Sequence, residues 1–295
     1  MRSREFRRDL DPEFFRALEH GPLRQLLVGC RAVKGDVRLR GREVHVYVRG
    51  NRIAALRLGR GRLPLLELHP KYCANTALAS FPFVHESRSR RRFGVTEEFV
   101  SVWSPALKSI CRTAEAARAG PEGGMEADLI SANQTGTPVE IIDRQVQLPR
   151  ASTRDRLDLL GVALDPTTGA DALVAIELKR GTDTRIQDLP RQMARYVGML
   201  APKGRLRAEV VASYRTVAQQ MRALDLPAPD PTRFHSGMGI LALVVVDTPN
   251  PRSDLLPRAH RNATAGATQV RFAEVTNGAF RLGPVETWGC LGVRE

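Results

Sequence analysis

Apolar and polar positions alternate with a period of two across residues 37–68. The alternation predicts four short strands, over 37–40, 44–48, 53–58 and 63–68. Gly41, the pair Gly50-Asn51 and the run Gly59-Arg60-Gly61 punctuate them, as expected of a β-meander, and 49–52 reads as a tight hairpin. Arginine is the usual polar partner in the alternation, which predicts one face against a core and one basic face in water. Such a face is either simply solvated or positioned to touch a phosphate backbone. Ahead of the strands, Asp11-Pro12-Glu13 carries a helix-start signature, and a second helical stretch follows over 23–33. Behind them, the run from His85 to Arg92 reads as a linker or a phosphate-contacting loop. A long helix is then predicted over 96–118. Thr96-Glu97-Glu98 caps it, Gly120-Pro121 stops it, and Pro105 is expected to kink or break it.

From residue 123 the periods alternate. A short helix is predicted over 123–133, a strand over 137–148, strands over 156–164 and 173–179, and a helix over 186–199. Leu206, Val210, Tyr214, Val217, Met221 and Leu224 then fall on one helical stripe, so Tyr214 and Met221 read as core. A buried strand over 239–247, a helix over 253–263 and a strand over 269–275 complete the order. This is an α/β (α+β) sandwich with a mixed sheet. The expected organisation is a β-rich N-terminal domain with leading helices (1–85), a linker and helical segment (86–121) and a second domain (122–295). No internal repeat and no glycine-rich phosphate loop is visible.

The chemistry concentrates at Leu173-Val-Ala-Ile-Glu-Leu-Lys179, an apolar strand that ends in a carboxylate and an ammonium two residues apart, hence on one face. Asp165-Pro-Thr-Thr-Gly169 is a turn, and the strand before it carries one acid, Asp158. Counted from Thr167, Asp158 lies nine residues before and Glu177 ten after, so a hairpin sets the two nearly opposite each other. Carboxylates that close repel unless a cation sits between them. The competing account is an ion-paired strand surface formed with Arg156 and Lys179.

Charge and composition sharpen this picture. The formal net charge is +13, an attraction to polyanions, of which nucleic acid is the commonest. Only five of the 45 basic residues are lysine. Where any cation would serve this chain uses arginine, so lysine at 179 points to a need for a compact ammonium with a tunable pKa. Cys30, Cys73, Cys111 and Cys290 have no CxxC spacing, which disfavours a disulfide framework, a zinc ribbon or a four-cysteine cluster. His69, His85, His235 and His260 lack ligand spacing. No apolar run reaches the length of a membrane span, and the first residues lack the apolar core of a signal peptide; the expectation is a cytoplasmic protein with no membrane partner.

Asp158, then Glu177-Leu178-Lys179 nineteen residues later, then Gln192-xxx-Tyr196 on a following helix, resemble the PD-(D/E)xK nuclease superfamily, within it the RecB-like branch with its QxxxY motif. The likeness covers roughly residues 125–246 and leaves out the N-terminal meander. One departure is that Asp158 follows Arg156-Leu157, where the family often has proline or glycine. The resemblance implies a restriction-endonuclease-like mixed sheet flanked by helices, here preceded by a smaller β-meander domain. It implies a metal-dependent phosphodiester hydrolase with Asp158, Glu177 and the Leu178 carbonyl as ligands of Mg²⁺ (or Mn²⁺). Lys179 would orient the attacking water, and Gln192 and Tyr196 would border the site. An upstream acid is also expected, either Glu126 or Glu140, with Glu126 preferred. The implied partner is nucleic acid, DNA before RNA, with a homodimer compatible. The alternative is a nucleic-acid-binding protein, or a subunit of a repair or defence complex, that keeps the fold without catalysis.

Overall fold

The computed structural model describes residues 6–117, 120–149, 156–200, 205–247, 252–264, 270–275 and 279–290. Residues 118 and 269, at the ends of two predicted elements, lie outside them. The chain forms two compact units: one comprises 8–124 and 219–226, and the other contains the remaining described residues.

The first unit opens with helices α1 (Pro12–Glu19) and α2 (Gly21–Ala32). Asp11 caps α1 by accepting a hydrogen bond from the Glu13 amide. Strands β1 (Asp36–Leu39), β2 (Glu43–Val48), β3 (Asn51–Leu58) and β4 (Pro64–Leu68) form the expected meander. The β2–β3 turn is made by Arg49 and Gly50, both at positive φ (49° and 81°), as a two-residue hairpin loop of matching twist requires. A short helix α3 (Pro70–Cys73) leads to β5 (His85–Ser87) and β6 (Arg90–Gly94), which join the same antiparallel sheet in the order β1-β2-β3-β4-β6-β5. The arginine-rich run read as linker or loop is therefore a hairpin at the sheet edge. Its residues gave no apolar signal because β5 buries none of its side chains and β6 buries Phe93 alone. Helix α4 (Glu97–Ala116) is capped by Thr96 and continues through Pro105, where the sequence predicted a kink or break. Its buried Phe99, Val100, Trp103, Leu107 and Ile110 line one stripe. The second face of that stripe is the row Leu39, Val44, Leu56, Leu66 and Phe93, which runs across five strands of the sheet.

The second unit holds the predicted hairpin. Helix α5 (Pro121–Ala132) precedes β7 (Val139–Val146), β8 (Leu157–Asp165) and β9 (Ala170–Arg180), an antiparallel meander. Helices α6 (Leu189–Met199) and α7 (Arg205–Ala223) cross over to β10 (Gly239–Asp247), which lies parallel to β9. Helix α8 (Leu255–Thr264), β11 (Val270–Val275) parallel to β10, and β12 (Gly289–Cys290) antiparallel to β11 complete a mixed sheet of order β12-β11-β10-β9-β8-β7. The fold is thus α+β, with one antiparallel and one mixed sheet. One face of the mixed sheet (Leu159, Ile176, Leu178, Leu243, Val245) packs with Met125, Leu129 and Ile130 of α5 and with Leu282, Val285 and Trp288. Helix α6 packs on β9, β10 and β11. No described helix is long and apolar enough to cross a membrane.

Candidate functional site

The β8–β9 hairpin fixes the site. Its turn closes through Gly169, at φ +66°, whose amide donates to the Asp165 carbonyl. From there the register runs Asp165↔Ala170 to Leu159↔Ile176, and one further step sets Asp158 opposite Glu177. Leu159 and Ile176 point into the core shared with α5, so Asp158, Glu177 and Lys179 lie on the other face.

On that face three oxygens close around one cation. The Lys179 ammonium donates to Glu177 Oε1 at 3.0 Å and to the Leu178 carbonyl at 2.7 Å, and stands 3.9 Å from Asp158 Oδ2. Asp158 Oδ2 also accepts from the Leu178 amide at 2.9 Å. The donors expected to bind a metal ion, Asp158, Glu177 and the Leu178 carbonyl, therefore converge on the ammonium of the neighbouring lysine. Helix α6 supplies the remaining polar groups. Gln192 Nε2 donates to Glu177 Oε1 at 2.9 Å and to the Tyr196 hydroxyl oxygen at 3.4 Å. Glu177, Lys179 and Tyr196 are buried, while the Asp158 side chain is 23% exposed and forms the solvent side of the group.

The electrostatics are unbalanced. Burial pushes the Asp158 carboxyl up to about 7, and the facing Glu177 charge adds to the shift. Lys179 and the Leu178 amide pull the other way without cancelling it. One ammonium is too little positive charge for two carboxylates in this setting.

Glu126 does not join this group. Arg144 Nε and Nη2 reach its Oε1 and Oε2, each at 2.9 Å, and Gln145 Nε2 donates to Oε2 at 3.0 Å. Successive residues of a regular strand point to opposite faces, yet Arg144 and Gln145 grip the same carboxylate. The cause is the backbone: β7 is irregular between Ile141 and Asp143, and Gln145 sits at φ +54°. The Glu126 charge still reaches Asp158, as the smallest of the contributions that raise it. Glu140, the other upstream acid considered, is tied at 2.7 Å to Arg233, which also binds Asp171. The buried Asp143 accepts from the Tyr214 hydroxyl at 2.7 Å, which gives that core tyrosine its polar partner. Among the described residues no group of three or more His, Cys, Asp or Glu side chains could hold a metal ion. Sequence reasoning missed Arg144 and Gln145. Their signal is Asp143-Arg144-Gln145, three consecutive polar residues between Ile142 and Val146 in a predicted strand.

The donor set fits a hard divalent cation. Mg²⁺ takes oxygen ligands, uses one or two carboxylates and retains several waters, so Asp158, Glu177 and one carbonyl are a sufficient protein contribution. The chain matches no family model, and no curated protein or solved structure matches it.

Proposed function

We propose that the protein is a metal-dependent nuclease of the PD-(D/E)xK type that hydrolyses phosphodiester bonds in nucleic acid, DNA before RNA. The observation that carries this reading is the convergence of Asp158, Glu177 and the Leu178 carbonyl on the Lys179 ammonium, with Asp158 still raised to about 7. The order α5-β7-β8-β9-α6-α7-β10 supports it, being the order that a restriction-endonuclease-like core implies.

In this mechanism Asp158 and Glu177, on adjacent strands, would hold the cation, and Asp158 lies on the solvent side where a substrate phosphate can approach. When bound, the cation would supply charge neutralisation of the phosphodiester and acidification of a water. Lys179 stabilises the negative charge that develops on the phosphate and orients the water through its remaining N–H groups. To do so it exchanges its contacts with Glu177 and Leu178 for contacts with substrate. Gln192 fixes the Glu177 carboxylate through Oε1, and Tyr196 fixes the Gln192 amide from the next turn of α6.

A second reading, a nucleic-acid-binding protein without catalysis, draws on the closure of the Glu177–Lys179 pair, both partners being almost fully buried. One assay separates the two. Purified protein is incubated with single- and double-stranded DNA and RNA in Mg²⁺, Mn²⁺ or chelator, beside Lys179→Ala and Asp158→Ala. The nuclease reading expects cleavage that needs the metal and falls by about 10²–10³-fold or more in each variant. Absence of cleavage under every metal, or cleavage that survives both substitutions, would sink it.

A further inference from the structure

The antiparallel sheet of the first unit carries a second charged surface. The two sides of this sheet differ in where the charged side chains fall. The row Val37, Val46, Ala54, Leu68 and the parallel row from Leu39 to Phe93 are apolar and buried. The row between them reads Arg38, His45, Ala55, Glu67, Arg92 and His85, one residue from each of six strands. Side chains two residues further along, Glu43 and Arg57, share this outer face, as does Arg90 on β6. Arg38, Ala55 and Glu67 of this row are buried, and the side chains that reach solvent on this face include Arg90, Arg92, His85 and, in part, Arg57.

Its acids and bases lie at different depths. Glu67 is 4% exposed and sits beneath three arginines: Arg57 Nη2 at 3.1 Å, Arg92 Nε at 2.9 Å and Arg90 Nε at 3.6 Å. Glu43 Oε1 meets the same Arg57 Nη2 at 2.9 Å. The arginine side chains stand above, that of Arg90 52% and that of Arg92 31% exposed, with Arg52 exposed beside them. Arg90 and Arg92 meet Glu67 through Nε, so the terminal nitrogens of both guanidinium groups are left for another acceptor. The short carboxylate acts as a buried post and the longer guanidinium groups form a cationic outer layer of fixed spacing. Three arginines against the two carboxylates Glu67 and Glu43 leave a surplus of one positive charge, to which the exposed Arg52 adds a second, and pinning the arginines in advance lowers the entropy lost on binding. Guanidinium groups held in this way match phosphate oxygens in geometry as well as charge.

We propose that this outer face binds the phosphodiester backbone of nucleic acid, with Arg57, Arg90 and Arg92 contacting phosphates from their common anchor on Glu67. The proposal concerns backbone binding by the first unit and stands independently of cleavage by the second. The test therefore uses full-length protein carrying Lys179→Ala in chelator, so that a failed cleavage reading leaves it intact. Fluorescence anisotropy gives Kd for labelled 20-nucleotide single-stranded and duplex DNA and RNA across a salt series. Each lost phosphate contact lowers the slope of log Kd against log salt by about 0.9 for duplex and 0.7 for single strands. Arg57→Ala/Arg90→Ala/Arg92→Ala should lower it by roughly 2–3 and weaken binding about tenfold or more at 150 mM salt. The corresponding triple lysine variant should recover most of the slope. A control removes the same charge from exposed positions on α1 and α4, Arg16→Ala/Lys108→Ala/Arg112→Ala, and should leave the slope in place. The single variants Arg90→Ala and Arg92→Ala, each expected to cost about one contact, decide the matter if the triple variant does not fold. An unchanged slope in the variants, an equal fall in the control, or loss of binding to phosphatidylserine vesicles with DNA binding intact would each overturn the proposal.

Discussion

Replacing Asp158 with asparagine should stabilise the folded protein at alkaline pH, in the absence of divalent metal, while removing a ligand of the proposed metal site. The carboxyl sits near 7 in the fold, against about 3.9 in an unfolded chain. For an acid raised by folding, the native state binds more protons than the unfolded state between those two values, so stability falls as pH rises through that window and stays low above it. About three pH units at 1.36 kcal/mol each give an upper bound of about 4 kcal/mol. Coupling to Glu177 and the partial exposure of Asp158 reduce this, so on the order of 1–3 kcal/mol is expected. Asparagine keeps an oxygen for the Leu178 amide and removes the charge that opposes Glu177. Urea unfolding in chelator at pH 3.5 and pH 8 measures the effect: near-equal midpoints at pH 3.5, below both values, and the variant more stable by that amount at pH 8. Adding Mn²⁺ at pH 8 should stabilise the wild type and not the variant. If Asp158→Asn is instead less stable than wild type at pH 8 by about 1 kcal/mol or more, Asp158 is a structural ion-pair partner of Lys179 and the argument for a cation site fails.

Binding of Mn²⁺ should release close to one proton per site at pH 6, about half at pH 7 and almost none at pH 8.5, because the cation displaces the proton that Asp158 carries below 7; calorimetry in buffers of different ionisation enthalpy reads this directly, and a release that ignores pH contradicts it. Arg144→Met leaves the Glu126 carboxylate buried against Gln145 alone and should cost about 3–5 kcal/mol in urea unfolding, most of it recovered in Arg144→Met/Glu126→Leu; an additive double variant would show that the pair is not coupled. Gly169→Ala should cost about 1 kcal/mol through its left-handed backbone, with nothing within 4 Å to clash, and a neutral result would mean that the turn relaxes.

The hairpin was legible because its information is local. A strand alternates with a period of two and a turn is marked by its own residues, so counting outward from Thr167 put Asp158 against Glu177, the pairing that the observed register gives when continued by one residue. Gln192 and Tyr196 were legible for the same reason, four residues apart on one helix. The polar and apolar faces of the first sheet also followed from alternation alone. Glu126 was not legible. Its environment depends on an irregularity in β7 and on one residue at positive φ, and Gln145 is no glycine that would announce such a backbone. The edge hairpin was missed for a related reason: sequence pattern reports burial, and β5 and β6 bury Phe93 alone.

Lysine at 179 now has a geometric account as well as a compositional one. Its ammonium touches both an acid and a backbone carbonyl within 3.0 Å while remaining within ion-pair distance of the second acid. A guanidinium is planar and spreads its donors over a wider fork, so it cannot place one nitrogen among all three oxygens. The same compactness would let the ammonium withdraw by rotation of a flexible stem if the proposed cation took its contacts. On the proposed reading the lysine neutralises the site in part without metal and would become available to a phosphate once a metal is bound. A structural ion pair would have no use for that exchange, and would be served by arginine, which this chain uses for 40 of its 45 basic residues. On that reading the incomplete neutralisation of the two carboxylates by one ammonium is what would make the exchange favourable, since a fully neutralised pair would gain little from a divalent ion.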